Sequence, residues 1–160
     1  MQIRKATADE MLRLWGYQSI ADAANTARFF YRNISSGNAV FWTVDNDGEL
    51  IGELYAFLNL DNMEFANGIT TAYLCAFRIK KEFRGQGLGT SLMKAALSDL
   101  KIRGFRYVTI GVSDEKNKKL YHKYGFVTEI GTYYYDPCAM DEHSNPEYDE
   151  TGFLLLSKEL

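Results

Sequence analysis

The chain has 160 residues, 46% of them hydrophobic and 14% aromatic, a size and apolar content suited to one compact domain spanning residues 1–160. Its net charge of -3, with both signs spread along the chain, leaves no basic stripe for counterion release and disfavours nucleic acid as a partner. Cys75 and Cys138 stand far apart and outside any CxxC, against a disulfide framework or a structural metal site; charged residues 1–10 and the lack of a long apolar run predict a cytoplasmic protein with no membrane partner.

Residues 2–5 predict a short strand. Thr7 follows as a helix N-cap, with Met11, Leu14 and Trp15 recurring at helical spacing. A second helix is expected over residues 23–34, from the period of Ala24, Ala27, Phe30, Tyr31 and Ile34, with Gly37 closing it in a left-handed cap. Residues 40–44 and 50–58 are rich in β-branched and aromatic side chains, and Asp45-Asn46-Asp47-Gly48 supplies the turn of a hairpin. A loop over 61–68 leads to a largely apolar strand over 71–79, expected to be covered on both faces.

Glycines follow that strand. Beyond them Leu88, Leu92, Ala96 and Leu100 mark a helix that Gly104 can end, and residues 106–112 alternate as a half-buried strand does. A short helix runs through Leu120 and Tyr124 to Gly125. Two late strands, about 127–135 and 152–157, flank a segment expected to be irregular and acidic.

Arg84-Gly85-Gln86-Gly87-Leu88-Gly89 sets three glycines at a strand-to-helix junction. Backbone N–H groups can converge there, and the helix N-terminus adds its positive dipole end, so a phosphate or pyrophosphate is the natural guest. No Gly-Lys-Thr or Gly-Lys-Ser ending follows, which disfavours nucleotide hydrolysis. A dinucleotide fold stays in view because Asp114 and Glu115 stand where an acidic residue could meet a ribose, although Thr90 occupies the third glycine position of GxGxxG. Glycines serving only a tight turn are the bland alternative.

The Arg84–Gly89 run resembles the GNAT acetyltransferase pattern of Gln or Arg, two residues, Gly, one residue, then Gly or Ala. Leu120-Tyr121-His122-Lys123-Tyr124-Gly125-Phe126 is similar to that family's Leu-Tyr-Lys-Lys-x-Gly-Phe segment, and the element order agrees. The resemblance implies an α/β fold of α+β type: a central mixed, largely antiparallel sheet flanked by helices and splayed after the fourth strand. It implies acetyl-CoA as cosubstrate without a metal, its pantetheine hydrogen-bonded to Phe77, Arg78 and Ile79. The N–H groups of Arg84, Gly85, Gln86, Gly87, Leu88, Gly89 and Thr90 would hold the pyrophosphate.

The implied reaction is acetyl transfer to an amine acceptor, a small molecule or a protein amine, by direct attack. Tyr121 matches the family tyrosine that protonates the departing thiolate, with aromatic packing as its other reading. An asparagine that the family often carries seven residues earlier is Asp114 here; Asn117 either takes over that cofactor contact or caps a helix. Glu53 and Glu64 are the carboxylates considered as general base, and neither is assigned. Cys75 reads as a buried strand cysteine rather than an acyl carrier, and His143 as a loop residue. Trp15, Tyr17, Phe29 and Tyr31 either line an acceptor pocket or pack in the core. Tyr133, Tyr134 and Tyr135, followed by Asp136, Asp141, Glu142, Glu147, Asp149 and Glu150, either attract a cationic amine or form a solvated loop. A non-catalytic acyl-CoA-binding module is the alternative function, a dinucleotide-dependent oxidoreductase a more distant one, and a homodimer is left open.

Overall fold

The computed structural model describes residues 1–160. Its elements run in the order β1 (Gln2–Ala6), α1 (Ala8–Leu14), α2 (Asn25–Ser35), β2 (Ala39–Asn46), β3 (Glu49–Phe57) and β4 (Thr71–Ile79). They continue as α3 (Leu88–Ile102), β5 (Tyr107–Val112), α4 (Glu115–Lys123), β6 (Thr128–Met140) and β7 (Pro146–Glu159). No helix is long and apolar enough to cross a membrane.

Local chemistry accounts for the element ends. Thr7 and Glu10 form a reciprocal capping box at the start of α1, satisfying two of the backbone donors that a helix N-terminus orphans. The β2–β3 turn narrows to Asp47-Gly48, both at positive φ, with the Asp45 carboxylate accepting from Gly48 N–H at 2.7 Å; this backbone twist suits a two-residue hairpin. Gly104 and Gly125, which follow α3 and α4, are also at positive φ, the conformation that lets glycine end a helix.

The seven strands form one sheet in the order β1-β2-β3-β4-β5-β7-β6. All neighbours are antiparallel except β4 and β5. This is the mixed, largely antiparallel sheet expected from the sequence, and it does not fit a doubly wound dinucleotide fold, whose sheet is mostly parallel. Strand alternation sends successive side chains to opposite layers. Trp42, Leu54 and Leu74 join α3, Tyr121 and Phe126 in one core, while Phe41, Tyr55 and Tyr73 join Met11, Ala27 and Phe30 from α1 and α2 in the other.

Two features of β4 open the sheet. Its parallel pairing with β5 ends at Leu74↔Ile110, so residues 75–79 have no strand on that side. Against β3, the register steps from Tyr55↔Cys75 to Glu53↔Arg78; Leu54 thus faces both Ala76 and Phe77, and Ala76 takes a left-handed φ of 52°. That is a β-bulge. The strand was expected to be covered on both faces, yet only its first half is buried and the residues after Leu74 are half-buried or exposed.

The late acidic segment also differs from expectation. It is not irregular: β6 and β7 pair almost to their turn, through Tyr135↔Tyr148, Asp136↔Glu147 and Met140↔Pro146. Asp141 closes the turn by accepting from His143 and Asn145 N–H at 2.8 and 3.0 Å. The hairpin tip rests on α2, where Met140 N–H donates to Thr26 Oγ1 at 2.9 Å and Asn25 Nδ2 donates to the Asp141 carbonyl at 2.9 Å.

Candidate active site

The free half of β4 separates two cavities. On the α3–α4 side lies a groove of about 450 Å³, and on the α1–α2 side a cavity of about 780 Å³. Phe77, Arg78, Ile79 and Arg84 line both.

The groove begins at the glycine loop. Gly85 and Gly87 have φ near +80°, and a Cβ at either would meet nothing within 4 Å, so backbone conformation rather than lack of space requires glycine there. At Gly89 the reason is contact: a Cβ would lie 3.3 Å from Phe77 Cζ. The N–H groups of residues 85–90 donate to no carbonyl or side chain of the protein; the first loop-to-helix bond is Ser91 N–H to the Gly87 carbonyl at 3.1 Å. Six consecutive free donors at a helix start form an anion-binding nest. Arg84 donates from Nε to the Ile79 carbonyl at 2.9 Å, tying the loop back to the end of β4.

Every residue expected to touch the cofactor lines this groove except Gln86, which is exposed in the loop. Asn117 lines it too and is not the α4 cap; Asp114 caps α4, accepting from Asn117 N–H at 2.7 Å. Its carboxylate also holds Asn117 Nδ2 at 3.1 Å, so the acidic residue a dinucleotide fold would turn to a ribose is engaged within its own helix. Sequence reasoning missed Phe83, Leu120 and Tyr124, also on the groove wall. Tyr124 was recognisable as a helix position and as the variable residue of the Leu120–Phe126 motif, neither of which gives it a role at the groove. Its hydroxyl in fact hydrogen-bonds Thr90 Oγ1 at 3.1 Å, bridging α4 to α3.

Tyr121 is buried to 9% exposure, its ring 6.5 Å from Phe77 and 6.2 Å from Phe126. It makes no hydrogen bond to the protein, and no buried side-chain polar atom lacks a partner, so its hydroxyl meets the open groove. Burial, reinforced by Tyr124 and Asp114, pushes its pKa up to about 12. A phenol so placed keeps its proton and can give it to a stronger base.

The second cavity carries a different chemistry. Trp15, Tyr17 and Phe30 form its aromatic wall, whereas Phe29 stacks on Phe57 and Tyr31 donates to Asp9 at 3.1 Å, both away from the cavity lining. Glu53 belongs to that lining; it accepts from Trp15 Nε1 at 2.8 Å and Tyr55 OH at 2.9 Å, and pairs with Arg78 Nε at 3.2 Å. Glu64 is outside the lining and accepts from the Tyr133 hydroxyl at 2.5 Å.

Of the late acidic residues only Asp136 reaches this cavity, and it accepts from Cys138 and Ala139 N–H at 2.9 and 3.3 Å. Cys75 and Cys138 are both in the lining as free thiols. Burial, with Cys75 beside it, pushes the Cys138 thiol well up. His122 is exposed on α4 in the opposite layer, so it does not serve Cys75 as a base. Thr26, Cys138 and Ala139 had no sequence signal, because the α2–hairpin contact brings them in from far along the chain.

A seven-stranded sheet splayed at a bulged β4, with a glycine-nest groove on one side and an aromatic cavity on the other, is the architecture of a CoA-type acyltransferase. The chain belongs to the acetyltransferase (GNAT) family, whose model matches residues 5–126. N-alpha-acetyltransferase 30 of Schizosaccharomyces pombe is 32% identical over 85 residues, a match covering 45% of this chain and 57% of that relative, little more than half its length. The fold is shared with ribosomal-protein-alanine N-acetyltransferase of Brucella melitensis, at TM-score 0.68, 16% identity and full coverage of both chains. A GNAT acetyltransferase of Elizabethkingia anophelis with acetyl-CoA bound superimposes at TM-score 0.62 and 19% identity, covering 99% of this chain and 97% of that one.

Proposed function

We propose that this chain, as one domain over residues 1–160, transfers an acetyl group from acetyl-CoA to an amine by direct attack. The observation that carries this reading is the run of six unpartnered N–H groups at residues 85–90, in line with the free edge of β4 and with the Tyr121 hydroxyl in the same groove. The Schizosaccharomyces pombe relative and the Brucella melitensis structure are both named as N-acetyltransferases, which supports an amine as the acceptor class.

Acetyl-CoA, when bound, supplies an acyl group activated as a thioester whose transfer leaves a thiolate. The donors of residues 85–90 fit its pyrophosphate, and the edge of β4 at Phe77, Arg78 and Ile79, which has no strand on its β5 side, can bond its amide-bearing arm as an added strand would. Asn117 lines the groove beside that arm. The acceptor enters from the aromatic cavity across β4 and attacks as the neutral amine. Its nitrogen forms the C–N bond as the C–S bond breaks, Tyr121, held neutral by burial, donates a proton to the departing sulfur, and the proton released by the nitrogen passes through solvent to restore the phenol. A proton donor in the groove favours catalysis over a purely acyl-CoA-binding role.

Calorimetry with acetyl-CoA, followed by thiol release across a panel of amines, tests the reading. Gly87→Asp is expected to abolish acetyl-CoA binding while the domain stays folded, because the new carboxylate stands beside the donor nest, its Cβ meets no protein atom, and the left-handed backbone costs an Asp only about 1–2 kcal/mol. Unchanged affinity in that folded variant overturns the loop assignment.

A further inference from the structure

Glu53 is a carboxylate of 10% side-chain exposure in the wall of a mostly aromatic and apolar cavity. Its partners are unequal. Trp15 and Tyr55 both donate to Oε1, from rings locked in an aromatic cluster: Trp15 lies 4.9 Å from Phe30 and 6.1 Å from Tyr55, and Tyr55 is fully buried. These neutral donors orient the carboxylate and leave its charge uncompensated. The countercharge comes from Arg78 alone, through Nε at 3.2 Å to Oε2, from a side chain that is 60% exposed. That contact is longer than the charge-assisted optimum of about 2.7–2.9 Å. The same guanidinium sits 5.9 Å from the Trp15 ring centroid, so a carboxylate and an aromatic face converge on one cation position.

The other charged groups of the cavity are engaged elsewhere. Lys80 pairs with Glu49, Arg84 donates to the Ile79 carbonyl, and Asp136 caps the backbone of β6. Arg78 also lines the cofactor groove, because the bulge at Ala76 sets it where the two cavities meet.

We propose that Glu53 and Trp15 form a cation subsite for the acceptor, and that Arg78 occupies this subsite in the free protein as a displaceable internal ligand. The inference rests on the acyltransferase reading and narrows its acceptor to one that binds as an alkylammonium. Displacement is physically reasonable: a solvent-exposed arginine loses little on returning to water, whereas a carboxylate buried to this degree needs a cation beside it.

The test uses n-butylammonium chloride as the probe, with 1-butanol as its uncharged counterpart, followed by the indole N–H signal of Trp15 in ¹H–¹⁵N spectra. Trp15→Phe distinguishes that signal from the one of Trp42. Saturable binding of the ammonium but not the alcohol is expected, about tenfold tighter in Arg78→Ala, where the competitor is gone, and at least tenfold weaker in Glu53→Gln. Arg78→Ala removes an exposed side chain and leaves Glu53 its two neutral donors, so it keeps the proposal falsifiable should Glu53→Gln fail to fold. Ammonium affinity no higher in Arg78→Ala than in the wild type overturns the proposal, as does undiminished affinity in a folded Glu53→Gln. Acetyl-CoA calorimetry on the same proteins separates the two readings. Failure there with the ammonium response intact removes the acyltransferase reading alone, and the reverse removes only the subsite.

Discussion

The role proposed for Tyr121 depends on where its ring is packed. Phe77 and Phe126 fix the ring while the hydroxyl is left to the groove, and burial raises its pKa to about 12. Tyr121→Phe keeps the packing and removes only the proton, so kcat should fall by roughly 10 to 1,000-fold with acetyl-CoA affinity nearly unchanged. Unaltered turnover with chemistry rate-limiting removes Tyr121 from the mechanism. The raised pKa also has a sign: the acid form persists as pH rises, so the alkaline fall in kcat/KM due to this group should lie above the ordinary tyrosine value of about 10. A kcat/KM profile through about pH 10 and above, compared between wild type and Tyr121→Phe, checks it.

Among the elements, α1 shows how a local motif becomes a tertiary tie. Glu10 completes the capping box and also receives Arg4 of β1, which itself bridges to Asp45 of β2. Hydrogen bonding from Arg4, aided by the Thr7 N–H, lowers the Glu10 pKa from 4.5 to about 2. The folded state therefore holds this carboxylate ionised more strongly than the unfolded chain does. The resulting stability is complete above pH 4.5 and is lost as pH falls towards 2, since protons then favour the unfolded side. Glu10→Gln, which keeps a cap but no charge, should lower stability at neutral pH and flatten the acid limb over that window. Urea unfolding from pH 2 to 6 measures it, and an unchanged limb would assign acid sensitivity to other carboxylates. Thr7→Ala should cost about 1 kcal/mol at any pH, by loss of the N-cap.

For the molecule as a whole, the groove on the α3–α4 side exists because β4 and β5 part after Leu74, leaving backbone donors exposed on the strand edge and at the loop. A ligand that satisfies them binds only the folded chain. At a hundredfold excess over its Kd, acetyl-CoA should stabilise the protein by about 2.7 kcal/mol, a rise in Tm of roughly 5–10 °C for a chain this long. Amide exchange at residues 85–90 should slow in parallel. A thermal shift without protection of those amides would place the ligand elsewhere.

Much of this was determined by the sequence itself, because its causes are local. Thr7 as an N-cap, the Asp45-Asn46-Asp47-Gly48 turn, the i, i+4 apolar face of α3 and the glycines at 85, 87 and 89 act over a few residues, so spacing and residue type were enough to read them. The motif around Tyr121 further marked the groove on the α3–α4 side. The aromatic cavity on the α1–α2 side depended on tertiary structure. Ala76 carries no sequence sign of a bulge, being neither glycine nor next to proline, and its left-handed backbone is set by the register of β3 against β4. The acidic segment looked irregular because its strand pairing crosses bulges between residues 129 and 140, which break the two-residue period. Glu53, Arg78, Trp15 and Cys138 are distant in sequence and meet only when helix, sheet and hairpin have packed together. Interactions between distant segments depend on how whole surfaces fit, and no spacing along the chain encodes that.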